Sequence, residues 1–587
     1  MEGPAGPKWR HNIVFGGMAF ILVALGVRLW YMRTVYGEKA RAMANRQQRY
    51  VIPIPARTGN IYATAHRRPI LLATSRQAPT CFVDPSLLKD YEIADVAFSV
   101  GDALNLEPLA VQDTLVSRRG KKYAPIKDNP YREITSGQLA AIKALNNRAV
   151  GVEYQWLRGY PCGDLAGSVV GFRMRDGLPG GGLELSLNKH LTAYDGRREI
   201  VVDAARRAVR LLPGKSIPPK DGNHVYLCLD AVIQGHLQEA VSAAAAKYGG
   251  PKTWAAGVVV DPKTGRVLGM CSVPTFDPNS SSRPGSVATN RAIIMPFEPG
   301  SVVKPLFAAA AVSEGLVNWK TMIFCENGTY RPHRGGRITD HGKSYGMKSV
   351  TDGMVVSSNI LAAKLGGMLG NKKLHKWVTI FGFGRKTGIP LPGEDPGLIR
   401  KLRDWDTYST PRVPFGQEMA TTSLQLAMAF SAVVNDGMLL KPRLIDRIVD
   451  PQGNVLYTGG RKVVRPIFSP KVARQTRLVM QEVVERGTGK RCKMKQWTSF
   501  GKTGTAQIAG PGGYIEGAYT GSFVGGAPVD SPRLLCVISV YWPDRSKAYY
   551  GGTVAAPFVK QVLKRSLMYL KVPPDKGIGI ASTAAGR

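Results

Sequence analysis

Glu298-Pro299-Gly300-Ser301-Val302-Val303-Lys304-Pro305 leads into the apolar run Leu306 to Val312. Pro299-Gly300 is turn chemistry, and the run after it predicts a buried helix from Lys304 to Val312. Ser301 then falls in the first helical turn, with Lys304 one turn later on the same face. A serine hydroxyl is a weak nucleophile and needs an adjacent base. A lysine desolvated near other cations loses its proton more readily and can serve as that base. The N–H groups at a helix start favour developing negative charge.

Two further short motifs follow in order. Ser357-Ser358-Asn359 supplies a second hydroxyl that can relay a proton, and an amide that both donates and accepts. Lys502-Thr503-Gly504-Thr505 lies on a predicted strand, where Lys502, Thr503 and Thr505 suit a carboxylate and Gly504 permits close approach of a ligand to the backbone. Each motif alone is a weak signal. Ser186-Leu187-Asn188-Lys189 repeats the first pattern, and Lys263-Thr264-Gly265 and Lys386-Thr387-Gly388 repeat the third. Context separates them: Ser186 follows no helix-opening turn, Lys263 sits at a hairpin turn, and Lys386 sits in a loop of Gly, Arg and Pro.

Working outward, Trp254 to Val260 and Arg266 to Val273 are β-rich runs joined by Asp261-Pro262-Lys263-Thr264-Gly265, which predicts a hairpin. Thr498 to Gln507, Thr520 to Ala527 and Arg533 to Tyr541 are three more strand-like runs. Between them lies a largely helical insert, with one helix expected from Ser423 as N-cap to Asp436-Gly437. The expected class is mixed α/β (α+β): an antiparallel five-stranded sheet flanked by helices.

At 587 residues the chain is too long for one core. Leu212-Pro213-Gly214-Lys215-Ser216-Ile217-Pro218-Pro219 marks a domain boundary. From Ile13 to Val27 the chain is uncharged, and with Leu29 to Met32 the stretch is long enough to span a bilayer. A cleaved signal peptide ending near Ala24-Leu25-Gly26 is the rival reading. The expected organisation, with its sidedness and pedestal taken from a family resemblance, is a cytoplasmic tail (1–12), a transmembrane anchor (13–32), a non-catalytic pedestal (33–214), a catalytic domain (215–572) and a disordered tail (573–587). Within the pedestal, the extended run Val51 to Pro55 and Arg57-Thr58-Gly59 are the candidates for holding it to the anchor.

Lys+Arg number 79 against 42 Asp+Glu, a net charge of +37. Such an excess favours acidic partners, and an anionic membrane or wall fits it. Nucleic acid is not expected, since zinc-finger, RNA-recognition and zipper signatures are missing. The seven cysteines are scattered without a CxxC pair, which argues against a disulfide framework and a zinc site. His333 and His341 flank a loop with Arg331, Arg334 and Arg337 and read as part of a solvated basic loop rather than metal ligands. No metal or cofactor is expected.

The ordered trio at Ser301, Ser357 and Lys502 is the pattern of penicillin-binding proteins and class A β-lactamases. The chain resembles the monofunctional (class B) penicillin-binding proteins over nearly its whole length. The resemblance rests on Phe297 to Pro305, Gly501 to Gln507, Phe381-Gly382-Phe383-Gly384, Gly416-Gln417, Ser522-Phe523-Val524-Gly525 and Tyr550-Gly551-Gly552. In the pedestal, Arg57-Thr58-Gly59-Asn60-Ile61, Arg158-Gly159-Tyr160-Pro161 and Gly182-Leu183-Glu184-Leu185 are similar to the family's N-terminal motifs. Ala63-Thr64-Ala65-His66 departs from the usual Asp-Arg-Asn-Gly there.

The resemblance implies a penicillin-binding transpeptidase fold on an elongated N-terminal pedestal. It implies a peptidoglycan D,D-transpeptidase that acts on stem peptides and is acylated by β-lactams, with its catalytic domain on the outer side of the plasma membrane. It further implies a septal role and a polytopic glycan polymerase partner of the shape, elongation, division and sporulation type. Carried over, Ser301 is the nucleophile and Lys304 its base. Ser357 is the relay, Asn359 and Lys502 orient substrate, and the N–H groups of Ser301 and Thr505 form an oxyanion hole. Thr503, Gly504 and Thr505 contact substrate. A D,D-carboxypeptidase or β-lactamase on the same scaffold, and a silent divisome scaffold or β-lactam sensor, are the competing readings.

Overall fold

A computed structural model describes residues 8–126, 134–174, 177–202, 208–211, 216–280, 285–332, 336–341 and 344–576. Of the expected disordered tail at 573–587, residues 573–576 are instead held in place, the Pro573 carbonyl accepting from Trp497 Nε1 at 3.1 Å and Asp575 from the Thr498 N–H at 2.6 Å. Residues 577–587, the Leu212–Lys215 part of the domain break, and His333 and Arg334 lie outside the described residues. The chain divides into two compact units, one of 1–57 with 193–221 and one of 58–192 with 222–587.

The first unit begins with the helix Lys8–Tyr31, which passes through a π-helical turn, Met32–Tyr36, into the helix Gly37–Gln48. Its most apolar 18-residue window has a mean hydropathy of 2.1, and none of that window is buried in protein. An uncovered apolar helix of 24 residues, about 36 Å long at 1.5 Å per residue, matches the hydrocarbon core of a bilayer. The protein is membrane-anchored. The Pro-stiffened stretch beyond the helices forms the strand Arg49–Ile54, paired antiparallel with Gly196–Val202, which in turn pairs with Ala208–Leu211. Arg57 donates its backbone N–H (2.8 Å) and Nε (3.1 Å) to the two carboxylate oxygens of Asp221.

In the second unit a five-stranded antiparallel sheet runs in the order Arg266–Val273, Trp254–Asp261, Leu534–Tyr541, Gly513–Ala527, Phe500–Gly510. These are the two runs of the expected hairpin and the three C-terminal runs. The central strands read as near-continuous apolar text because both faces are covered. Ala255, Val259, Cys536, Ile538 and Val540 face the helices Ala231–Tyr248 and Ala556–Tyr569 through Leu237, Val241, Val559 and Leu563. Ala256, Val258, Val260, Leu535 and Val537 point the other way, into the core shared with Val302, Leu306 and Phe307. That alternation is the period of two of a strand.

The Ser423–Val434 helix is buried along its whole length, but its N-cap is Thr422, one residue earlier than expected. Thr422 wins because Gln425 lies three residues on. The two side chains cap each other's backbone in a reciprocal box, which Ser423 has no partner to form.

A second sheet in the same unit joins distant parts of the sequence. Ile61–Ala65 pairs in parallel with His224–Asp230, which pairs with Ile445–Val449. On its other side Ile61–Ala65 pairs with the sixteen-residue strand Arg68–Val83, which carries Val150–Gly159. Near that strand Glu184 is fully buried between two guanidinium groups, Arg158 Nε at 2.6 Å and Arg173 Nε at 2.8 Å. Arg158 also donates to the Gly59 carbonyl at 2.8 Å, so the three N-terminal motifs seen in the sequence meet through its guanidinium.

Candidate active site

Ser301 sits in a 3₁₀ turn, Gly300–Val303, and the α-helix starts at Lys304 and runs to Ser313. The expected single helix is thus a tight turn leading into a helix. Gly300 is left-handed, at φ +58°, and a side chain there would run into the Thr505 carbonyl at 2.6 Å. Gly504 answers it from the strand: a Cβ on it would meet Ser522 Oγ at 2.3 Å, the Pro299 carbonyl at 2.7 Å and Val302 at 3.0 Å. The missing side chain of Gly504 therefore makes room for the Ser301 turn rather than for a ligand on that face. The two glycines let the nucleophile's turn lie directly on the strand of the third motif.

Ser357 ends the helix Val350–Val356 in the left-handed region at φ 63°, and Asn359 opens the helix Asn359–Ile380. A non-glycine residue held there costs about 1–2 kcal/mol, strain of the kind that gathers at functional sites. The turn brings Ser357 between two lysines. Lys502 Nζ donates to Ser357 Oγ at 2.8 Å, and Lys304 Nζ lies 3.4 Å from the same oxygen. Lys304 Nζ also donates to the Ser357 carbonyl at 2.5 Å and to Asn359 Oδ1 at 2.7 Å.

Lys304 and Lys502 are both buried. Burial pulls Lys304 down to about 7, against a smaller upward pull from Asp340. Lys502 is held well below the usual lysine range by burial and then by the charge of Lys304. A neutral lysine amine has two hydrogens and one lone pair. The two hydrogens of Lys304 are used on the Ser357 carbonyl and Asn359, which leaves the lone pair for a proton from a hydroxyl.

Ser301, Ser357, Thr503 and Thr505 line one cleft of about 460 Å³ with Thr488, Tyr550 and Gly552. Asn359 lines an adjoining lobe that shares Ser301 and Thr505. Thr503 is steadied by Thr488, hydroxyl to hydroxyl at 2.8 Å, and Thr505 Oγ1 accepts from the Gly551 N–H at 3.1 Å. The three motifs are thus brought together. The look-alikes are placed elsewhere: Ser186 Oγ donates to the Pro390 carbonyl, Lys263 stands in the hairpin turn, and Thr387 and Gly388 donate to the Glu394 carboxylate.

Sequence reasoning missed several cleft residues, His341 and Asp340 among them. His341, read as part of a solvated loop, lines both lobes and packs edge-on against Tyr550 at 6.3 Å. Burial, and then Lys304, hold its imidazole below the usual histidine range. Asp340 beside it is buried and accepts from Ser358 Oγ at 2.7 Å. A lone acid in a basic loop was the available signal, and it was outweighed by the surrounding arginines. The cysteines are free thiols, all but Cys162 buried.

The chain that carries this site has counterparts among known proteins. The penicillin binding protein transpeptidase domain matches residues 255–564. Stage V sporulation protein D of Bacillus subtilis is 31% identical over 569 residues, 96% of this chain and 86% of that protein. The probable peptidoglycan D,D-transpeptidase PenA of Neisseria meningitidis is 29% identical, over 99% of this chain and 96% of its own length. Among solved structures, penicillin binding protein 3 from Mycobacterium tuberculosis complexed with aztreonam superimposes with a TM-score of 0.68 at 27% identity, covering 89% of this chain and 98% of that one. Family model, sequence span and fold agree: the chain belongs to the penicillin-binding-protein transpeptidase family.

Proposed function

We propose that this protein is a septal peptidoglycan D,D-transpeptidase that works through an acyl-enzyme on Ser301. The observation that carries the reading is the Ser357 hydroxyl shared by two buried lysines, in the cleft that Ser301 lines. Neutral Lys304 takes the Ser301 proton as the serine oxygen bonds to the carbonyl carbon of the penultimate D-alanine of a donor stem peptide. The N–H groups of Ser301 and Thr505 hold the oxyanion. The peptide C–N bond then breaks, and the proton passes through Ser357 to the departing D-alanine amine. An amine of a neighbouring stem attacks the ester carbon and forms the new peptide bond as the ester C–O bond breaks, and Lys304 takes the amine's proton and returns it to the Ser301 oxygen.

Lys502, Thr503 and Thr505 bind the terminal carboxylate, while Asn359 orients Lys304. A β-lactam forms the same ester with no leaving group lost, so the acyl-enzyme persists. The apolar helix supports a membrane anchor, and a peptidoglycan substrate puts the catalytic domain on the outer side of the plasma membrane. The septal role, beside a polytopic glycan polymerase of the shape, elongation, division and sporulation type, is what the family resemblance implies. The 33–214 segment, which contributes none of the three catalytic motifs, serves as the pedestal.

Labelling with a fluorescent penicillin tests the reading. Stable labelling, lost in Ser301→Ala with folding retained, is expected. Rapid turnover of the label would indicate a hydrolase, and absence of labelling a silent scaffold.

A further inference from the structure

Two segments meet at the floor of the cleft, the turn Ser357-Ser358-Asn359 and the strand end Ile338-Thr339-Asp340. The Asp340 carboxylate is 5% exposed. One of its oxygens accepts from Ser358 Oγ at 2.7 Å. The other accepts from the backbone N–H of Asn359 at 2.6 Å and of Ile360 at 3.2 Å. Ser358 in turn accepts from the Leu361 N–H at 3.1 Å, so its hydroxyl is fully committed.

The neighbouring Thr339 carbonyl accepts from Asn359 Nδ2 at 2.9 Å. That bond decides which way the amide faces: with Nδ2 on Thr339, Oδ1 is presented to Lys304 Nζ at 2.7 Å. Burying a carboxylate is unfavourable unless it is well bonded, and a serine alone suffices to cap a helix. Asp340 does more than cap: every donor it holds belongs to the segment that carries Ser357 and Asn359.

Resting on the transpeptidase reading, we propose that Asp340 is a positioning residue of the acylation step. With the Thr339 carbonyl it fixes the Ser357–Asn359 turn, and so the geometry in which Lys304 and Lys502 share the Ser357 hydroxyl.

The charge of Asp340 has a second consequence. It opposes the burial that lowers Lys304. The other titratable groups around this pair are Lys502, which feels the charge of Lys304, and His341, which burial and Lys304 hold below the usual histidine range against a smaller upward pull from Asp340. Tyr345 and Cys325 are both pushed up by burial with Asp340 adding to it, and Lys348 and Lys364 act on Cys325 from its surroundings. Removing the Asp340 charge makes protonated Lys304 harder to sustain. The acid limb of acylation, where Lys304 takes up its proton, then moves to lower pH.

The test is the second-order rate of acylation by a fluorescent penicillin, from pH 5 to 9, on the full-length protein in detergent. Wild type is compared with Asp340→Asn, Asp340→Glu and Ser358→Ala, with Tm measured alongside. Asp340→Asn is expected to lose about 10²-fold in rate at pH 8, the scale of a small misplacement, with its acid limb at lower pH. Asp340→Glu keeps the charge but not the reach, so the limb returns to the wild-type position while the rate stays low. Ser358→Ala loses less rate and leaves the limb in place. Folded Asp340→Asn protein with wild-type rate and limb would overturn the proposal, as would rate losses that merely follow the unfolded fraction. If Asp340→Asn does not fold, Ser358→Ala decides, and a wild-type rate there would overturn it. Absence of labelling in the wild-type protein would overturn the transpeptidase reading and this proposal with it, a result distinct from normal labelling in every variant.

Discussion

Lys502 Nζ and Ser357 Oγ are 2.8 Å apart, and the same oxygen lies 3.4 Å from Lys304 Nζ. One hydroxyl thus accepts from a lysine on an edge strand and faces a second lysine that has a lone pair to offer. Ser357→Ala removes the shared oxygen and leaves both buried amines a partner short. Acylation by a fluorescent penicillin is expected to fall by about 10²- to 10⁴-fold, the usual worth of a proton-transfer group. Quantitative gel labelling checks it, and a loss under threefold would show that the hydroxyl is not in the relay.

The pH profile follows from Lys304, which burial lowers to about 7. The base must be neutral, so the acylation rate is expected to rise with pH through about 7 and level off above it. Below that point it falls about tenfold per pH unit, as the neutral fraction does. Lys304→Arg, whose guanidinium keeps its proton, is expected to be inactive across the range. A flat wild-type profile between pH 5.5 and 8.5 would contradict the assignment.

Glu298, two residues from the Ser301 turn, accepts from the Glu418 N–H at 2.8 Å and from Tyr514 Oη at 3.0 Å. Burial pushes its carboxyl up to about 7. A folded pKa raised above the unfolded value gives stability that is fully present below about 4.5 and lost as pH rises through about 7. Glu298→Gln removes that loss. The variant is expected to match wild type in Tm at pH 4.5 and to exceed it at pH 8, by about 1–3 kcal/mol in stability. Identical pH dependence in the two proteins would show that Glu298 ionises freely.

Glu184 holds Arg158 and Arg173 in a buried cluster. Glu184→Ala strands two guanidinium groups away from water, which typically costs about 3–5 kcal/mol. Thermal unfolding is expected at a markedly lower temperature, with penicillin acylation per folded molecule unchanged because the cluster lies outside the cleft. A wild-type Tm would mean that water reaches the arginines.

The sequence was most legible where one physical rule acted alone. The five strands were readable because Trp254–Asp261 and Leu534–Tyr541 are buried on both faces and keep a continuous apolar text. The three motifs were readable because their order and their helix, turn and strand settings exclude the look-alikes. Asp340 and His341 were not, because a short strand end in a loop carries no periodicity. Their meaning comes from contacts with Ser358 and Tyr550, which are distant in sequence. The packing of Gly504 against the Ser301 turn was hidden for the same reason, since Pro299, whose carbonyl needs its space, lies 205 residues earlier in the chain. The Thr422 cap was missed by one residue, within the usual uncertainty of helix ends.

The central claim is that Ser301, and no other serine, carries the acyl group. Full-length protein treated with a penicillin and digested is to be mapped by peptide mass spectrometry. The account predicts a single stoichiometric adduct, one penicillin mass added without loss, on the peptide containing Ser301, and none on that peptide from Ser301→Ala. An adduct on Ser357 or Ser186, or one that persists in Ser301→Ala, would contradict it.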